Sequence, residues 1–111
     1  AGKIQQRIIR SSTGHMITLN DSDSGGGISI EDKNGNKVTL ESQENKITIS
    51  VQGDANITAQ GNMALKAQGT MNLGALNMTL EAEAQMQIKG AEVKINGEGI
   101  VEVKGGLINL N

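Results

Sequence analysis

Met63-Ala64-Leu65-Lys66-Ala67-Gln68-Gly69-Thr70 is the stretch whose reading decides the fold. Side chains of an extended chain alternate between two faces, so Met63, Leu65 and Ala67 share one side while Lys66 and Gln68 take the other. The apolar-x-apolar pair that opens it recurs through 47–111, as Ile47/Ile49, Ala55/Ile57, Met63/Leu65, Met71/Leu73, Met78/Leu80, Met86/Ile88, Val93/Ile95, Val101/Val103 and Ile108/Leu110. The steps between first members are 8, 8, 8, 7, 8, 7, 8 and 7. A fixed period of this kind is the signature of a repeat architecture and takes precedence over any single element. A helix over 70–89 is the competing reading, but Met71, Leu73, Met78, Leu80, Met86 and Ile88 circle a helix instead of forming a stripe. The strand period accounts for all of them.

The third inward residue is small in Ala55/Ile57/Ala59, Met71/Leu73/Ala75 and Met78/Leu80/Ala82, which suits a strand running into a corner. Gly53, Gly61 and Gly69 stand eight apart and are expected at those corners, with positive φ convenient for the turn. Gly90, Gly97 and Gly105 are expected to take up the later corners, two residues after each pair instead of four.

Composition supports a repeat over a compact domain. The 111 residues contain no Phe, Trp, Tyr, Cys or Pro, and only 36% are apolar. Aromatic side chains usually dominate a compact core, and none is available. Polarity alone would suit disorder, but the phased return of Ile, Leu, Met and Val does not. The formal charge is −2 without a basic patch, so nucleic-acid binding lacks both its electrostatic footprint and its stacking platform. Without cysteine there are no disulfides and no thiolate chemistry. No run approaches the ~18 apolar residues of a membrane span. Nothing at the start reads as a signal peptide, and Ala1-Gly2-Lys3 opens without Met, as expected of a fragment.

Upstream of the repeat, 1–13 reads as an irregular lead-in; Ile4 and Ile8 have helical spacing, while Arg7-Ile8-Ile9-Arg10 reads as well as a short strand. The 14–46 region reads as a looser β-meander, with strands around Ile17/Leu19, Ile28/Ile30 and Val38/Leu40. The Asp21-to-Gly27 stretch is a turn by composition, and Asn34-Gly35 is a hairpin signal. The first members Ile17, Ile28, Val38 and Ile47 lie 11, 10 and 9 residues apart, so the meander tightens into the regular region over 47–111.

Each unit offers about five extended residues and spans roughly 17 Å before its corner. Single-chain hexapeptide coils have a shorter side, so seven to eight residues per side suit three identical chains wound about one axis. Such an arrangement pairs strand edges between chains, fills a narrow core with medium aliphatics and gives a small polypeptide the burial it lacks alone. The expected fold is therefore all-β: an intertwined trimeric triple-stranded β-helix, or β-prism, with octad repeats behind a short meander. Its inward residues would be Ile47, Ile49, Ile57, Met63, Leu65, Met71, Leu73, Met78, Leu80, Met86, Ile88, Val93, Ile95, Val101 and Val103. Nine units rising about 4.8 Å each give a regular shaft of roughly 43 Å.

Ser11, Gly14, His15, Ile17, Leu19 and Asp21 form a segment that resembles the region after the OB-fold domain in VgrG proteins of type VI secretion and in baseplate spike proteins of phage tails. The Asn34-Gly35-Asn36-Lys37-Val38-Thr39-Leu40 segment, the octads and the final Gly106-Leu107-Ile108-Asn109-Leu110-Asn111 run extend the resemblance over essentially the whole chain. It implies a non-enzymatic homotrimeric needle of a contractile injection machine, assembled in the cytoplasm and driven into the target cell envelope. It also implies tube and baseplate partners through an N-terminal OB-fold part that this chain lacks. A PAAR-repeat-like cone protein would cap the end formed by Leu107, Ile108, Asn109, Leu110 and Asn111, where three copies would present an apolar triangle.

Candidate chemistry is sparse. His15, the one histidine, could form an axial metal site from three copies, but a residue that packs and hydrogen-bonds at the shaft entrance is the favoured reading. Asp21, Asp23, Glu31 and Asp32 lack the spacing of a calcium loop and read as solvated carboxylates. Gly25-Gly26-Gly27 lacks the Lys-Ser/Thr of a phosphate loop, and Ser11, Ser12 and Thr13 lack a nucleophile-base-orienter set. The five methionines, Met16, Met63, Met71, Met78 and Met86, could line a soft-metal channel, but the last four read better as flexible core fillers. No cofactor, no metal and no catalytic constellation is expected. The alternative function is a β-solenoid fibre or adhesin module that binds surface carbohydrate, which the lack of aromatics disfavours.

Overall fold

The computed structural model describes residues 5–111, and the chain divides into two units whose bounds are Ala1–Leu65 and Lys66–Asn111. The first unit is built on a five-stranded antiparallel sheet of β1 (Gln6–Arg10), β2 (Met16–Asn20), β3 (Gly27–Glu31), β4 (Lys37–Glu41) and β5 (Lys46–Ser50), in the order β1-β2-β3-β4-β5. The molecule is all-β, with no helix among the described residues.

Strands β2 to β5 each have five residues in which Ile, Leu or Val alternates with Thr, Ser or other residues, bounded by Gly, Asn, Asp and Ser. Register follows the hydrophobic pattern: Ile17 faces Ile30, Leu19 faces Ile28, Ile30 faces Val38, Ile28 faces Leu40, Val38 faces Ile49 and Leu40 faces Ile47. A one-residue slip would move every one of these side chains to the opposite face. Gly27 begins β3 because a Cβ there would run into the Leu40 carbonyl oxygen across the ladder.

Two expectations change in this unit. The 1–13 lead-in contains a strand: β1 pairs with β2, with Ile9 opposite Ile17. Its consecutive Ile8 and Ile9 sit on opposite faces, so the segment shows no clean period and only its partner identifies it. The Ile4/Ile8 helical spacing involves a residue outside those described. The pair Ile47/Ile49, read as the first unit of the repeat, lies within β5 and hydrogen-bonds to β4, so the repeat begins inside the sheet.

After β5 the chain is extended and bends at 52–53 and 60–61 in the first unit. In the second unit it bends at 68–69, 76–77, 83–84, 91–92, 98–99 and 106–107. Every bend falls five and six residues after the first member of the preceding apolar pair, whether the unit has seven residues or eight. The spare residue of an octad, such as Thr70 or Gln85, comes after the bend. Among the described residues, 53–111 form no backbone–backbone hydrogen bond and no paired strand.

This constant phase corrects the reading of the glycines. Gly53, Gly61 and Gly69 do stand in bends, but the described residues with positive φ are Gly14, Gly35 and Asn45 alone. Gly90, Gly97 and Gly105 are not the corners; each immediately precedes its bend, at the small third inward position occupied earlier by Ala59, Ala67, Ala75 and Ala82.

An added Cβ at these glycines would meet the far side of the bend, with a backbone carbonyl oxygen nearest in each case: Glu92 O at 3.2 Å from Gly90, Ile100 O at 2.7 Å from Gly97 and Leu107 O at 3.4 Å from Gly105. A Cβ on Gly90 would lie 3.6 Å from Val93 Cγ2, on Gly97 2.8 Å from Val101 Cγ2, and on Gly105 3.5 Å from Ile108 Cγ1. The next first member is β-branched in all three cases. Where the third inward residue is alanine (Ala59, Ala67, Ala75, Ala82), the residue across the bend is methionine (Met63, Met71, Met78, Met86). Where it is Val51, the residue across is Ala55. Branching at Cβ puts two heavy atoms next to the backbone, which excludes a facing methyl at Gly97 and brings the side chain to ordinary contact distance at Gly90 and Gly105, whereas methionine carries its bulk further out. Gly97 therefore answers to close approach across the corner.

Candidate functional site

The largest feature without a partner is apolar. In the sheet, Ile9, Ile17, Leu19, Ile28, Ile30, Val38, Leu40, Ile47 and Ile49 share one face, with Arg7 at its β1 corner. The opposite face carries Thr18, Ser29, Thr39 and Thr48 in one row. Among the described residues no hydrophobic side chain is buried, so the aliphatic face lies open.

The repeat has its own two rows. First members from Met63 to Ile108 are 47–53% exposed, because the chain folds back over them at each corner. Second members from Ile57 to Val103 are 66–80% exposed, without such cover. The regularity of the two values reflects the regularity of the bends. In all, the chain exposes 11025 Å². A compact folded protein of 11.6 kDa exposes about 5,800 Å² by the usual mass scaling. The excess, about 5,000 Å², is of the size that obligate assemblies bury.

The residues of the predicted end site are also bare. Leu107 sits on the last bend, off the phase of the pairs, and is 81% exposed; Leu110, in phase, is 93% exposed.

Polar chemistry gathers where the β1–β2 and β3–β4 turns meet Gln52, two residues after β5. Gly14, at φ 104°, lets the first turn close: Gly14 N donates to Ser11 O at 3.2 Å, Ser11 N to His15 O at 2.8 Å, and His15 N to Ser11 Oγ at 3.0 Å. His15 then reaches the second turn, its Nδ1 accepting from Lys33 N at 3.3 Å. Neutral imidazole in that role carries its proton on Nε2.

Asp32 organises the second turn. Its Oδ1 accepts from Asn34 N and Asn36 N, both at 2.9 Å, and its Oδ2 from Asn36 Nδ2 at 2.7 Å. The Asn36 side-chain bond, then the Asn36 and Asn34 backbone bonds, hold the Asp32 carboxyl below its ordinary range. Asn36 Oδ1 in turn accepts from Gln52 N at 2.8 Å, and Gly35 O accepts from Gln52 Nε2 at 3.4 Å. Ser11, His15, Asp32, Asn36 and Gln52 thus form a latch that ties three crossings of the sheet together at one end.

His15 is therefore a turn-to-turn hydrogen-bonding residue. The acidic residues do not converge with it: Asp32 is spent on its own turn, Glu31 pairs loosely with Lys37 at 3.9 Å, and the Asp23 backbone accepts from Gln43. Among the described residues no three His, Cys, Asp or Glu side chains are placed to share a metal ion. The bonding roles of Asn36 and Gln52 were not foreseen from the sequence, although Asp32-Lys33-Asn34 has the spacing of an Asx turn, which points to the first half of the latch.

No protein-family model matches the chain, and no curated protein matches it. Its own residues carry the functional reading.

Proposed function

We propose that the chain is the shaft of a membrane-piercing spike in a contractile injection machine, acting as a threefold, intertwined β-helix without enzymatic activity. The observation that carries this reading is the 53–111 backbone: extended, bent at a constant phase, and free of backbone–backbone hydrogen bonds of its own. Backbone groups that are to be buried need partners. Two further copies supply them strand by strand, and cover the apolar rows in the same step. An assembly of this kind has no lateral sheet edge and is stiff along its axis, which is what a needle driven through an envelope requires.

The open aliphatic face of the sheet is continuous in sequence with the repeat through Ile47 and Ile49, so the same copies close it. The latch fixes the sheet's end in each copy before the repeat begins. The exposed Leu107, Ile108, Asn109, Leu110 and Asn111 are proposed as the seat of a cone-shaped tip protein, with tube and baseplate proteins engaging an N-terminal part and the target cell envelope as the surface crossed.

Mass in solution tests the core of the reading. Sedimentation equilibrium is expected to return three times 11.6 kDa and to resist dilution. A species of 11.6 kDa would refute it. For the tip, a Leu110→Asp variant is expected to assemble normally but lose binding to a cone protein from the same gene neighbourhood; unchanged binding removes that part of the proposal.

A further inference from the structure

We propose that Met63, Met71, Met78 and Met86 form a modification site: a block of thioethers whose oxidation to sulfoxide, on the chain before it assembles, prevents assembly. This rests on the threefold reading above. The four occupy the same phase in four successive units and are 47–50% exposed in the single chain. Val93 and Val101 hold the same phase at 50% and 53%, so the position itself does not call for sulfur. A glycine–valine corner serves as well as an alanine–methionine one, yet the oxidisable solution is used four times without interruption.

The chemistry needs an oxidant of the peroxide or hypochlorous acid class. A lone pair on the methionine sulfur attacks a peroxide oxygen, the S–O bond forms as the O–O bond breaks, and the departing hydroxide takes a proton to leave as water. Sulfur is oxidised by two electrons and peroxide is reduced by two. The product is a polar, chiral group in place of a flexible apolar one. The third inward position before each methionine is Ala59, Ala67, Ala75 or Ala82, whose methyl offers no donor. A sulfoxide buried there by two further chains stays unpaired. Once assembled, the same sulfurs are covered, so sensitivity ends when the shaft forms.

Met16 is a built-in reference. It lies in β2 on the face opposite the aliphatic one, and its sulfur accepts from Arg10 Nη2 at 3.4 Å.

The test treats purified protein with hydrogen peroxide in two states, native and dissociated in denaturant, followed by quenching and refolding. Peptide mass spectrometry reads sulfoxide at each methionine, and light scattering reads the assembled fraction. Dissociated chains are expected to oxidise at all four positions and then assemble at least about tenfold less, the loss expected from one unpaired buried polar group per unit. Methionine sulfoxide reductases are expected to restore assembly. Native protein is expected to oxidise at Met16 well ahead of the four. A variant with leucine at all four positions, unbranched at Cβ and so compatible with the alanine corners, is expected to assemble whether or not it was treated. Oxidised chains that assemble like untreated ones, or native protein whose four sulfurs react as fast as Met16, would overturn the proposal. Untreated refolded protein that stays monomeric would overturn the threefold reading and this proposal with it.

Discussion

Replacing Gly97 with alanine places a methyl carbon 2.7 Å from the Ile100 carbonyl oxygen and 2.8 Å from Val101 Cγ2. Ordinary contact begins at 3.4 Å, so the corner must open by 3.4 minus 2.7, or 0.7 Å, against a backbone atom that cannot rotate away. Overpacking of this kind typically costs about 1–3 kcal/mol. The lower entropy of an unfolded alanine offsets about 0.4–1 kcal/mol of that. The net loss is then about 1–2 kcal/mol per chain, repeated in every copy of an assembly. Guanidinium unfolding at fixed protein concentration reads it as a lower midpoint. Two comparisons isolate the cause. Gly53→Ala, with no atom within 4 Å of the new methyl and no positive φ, is expected to be neutral or slightly stabilising. The double variant Gly97→Ala/Val101→Met removes the Val101 Cγ2 contact but leaves the Ile100 carbonyl in place, so it is expected to recover part of the loss. If Gly97→Ala unfolds like the parent, or the added methionine recovers nothing, the size-matching account of the corners is wrong.

Phase is testable one residue at a time: Leu73→Asp is expected to abolish assembly by light scattering, whereas Asn72→Asp, on the other side of the extended chain, leaves the mass unchanged. Gly14→Ala and Gly35→Ala impose φ values of 104° and 91° on a side chain, and each is expected to lower the unfolding midpoint by the equivalent of about 1–3 kcal/mol. In the latch, Asn36→Ala removes the acceptor of Gln52 N, so hydrogen exchange at the Gln52 amide is expected to accelerate several-fold while amides within β2 are unaffected. Asp32 has a lowered pKa, so its contribution is present above the ordinary carboxylate range and is lost as pH falls through its own, lower value. Exchange at the Asn34 and Asn36 amides is therefore expected to rise on acidification after correction for intrinsic rates, and Asp32→Asn is expected to flatten that response.

Much of this architecture was legible because strand alternation and corner spacing are local properties. The pairs from Ile47/Ile49 onward predict the bends to within a residue, and Asn34-Gly35 marks the β3–β4 turn through Gly35. The glycines misled for a physical reason. Glycine commonly marks positive φ, but Gly90, Gly97 and Gly105 do not adopt it, and Gly97 serves close approach to the Ile100 carbonyl and the Val101 side chain across the bend. That relation is visible in a sequence only once the bend is known to lie between the two. β1 was ambiguous because Ile8 and Ile9 face opposite ways, and β2 decides between them. The role of His15 depends on Lys33, 18 residues away, and that of Asn36 on Gln52, 16 away; no local pattern encodes such partners.

The bends also bear on how a chain like this changes in length. Alternation makes most insertions ruinous, since one added residue inverts every side chain downstream until the next correction. Here each bend is counted from the pair before it, and the variable residue falls just after it, at positions such as Asn62, Thr70, Gln85 and Ile100. A codon gained or lost at those points leaves the facing of all later residues intact. Mutational drift in length is thereby channelled to one position per unit, and natural relatives and engineered variants should differ by whole units or by single residues at that position.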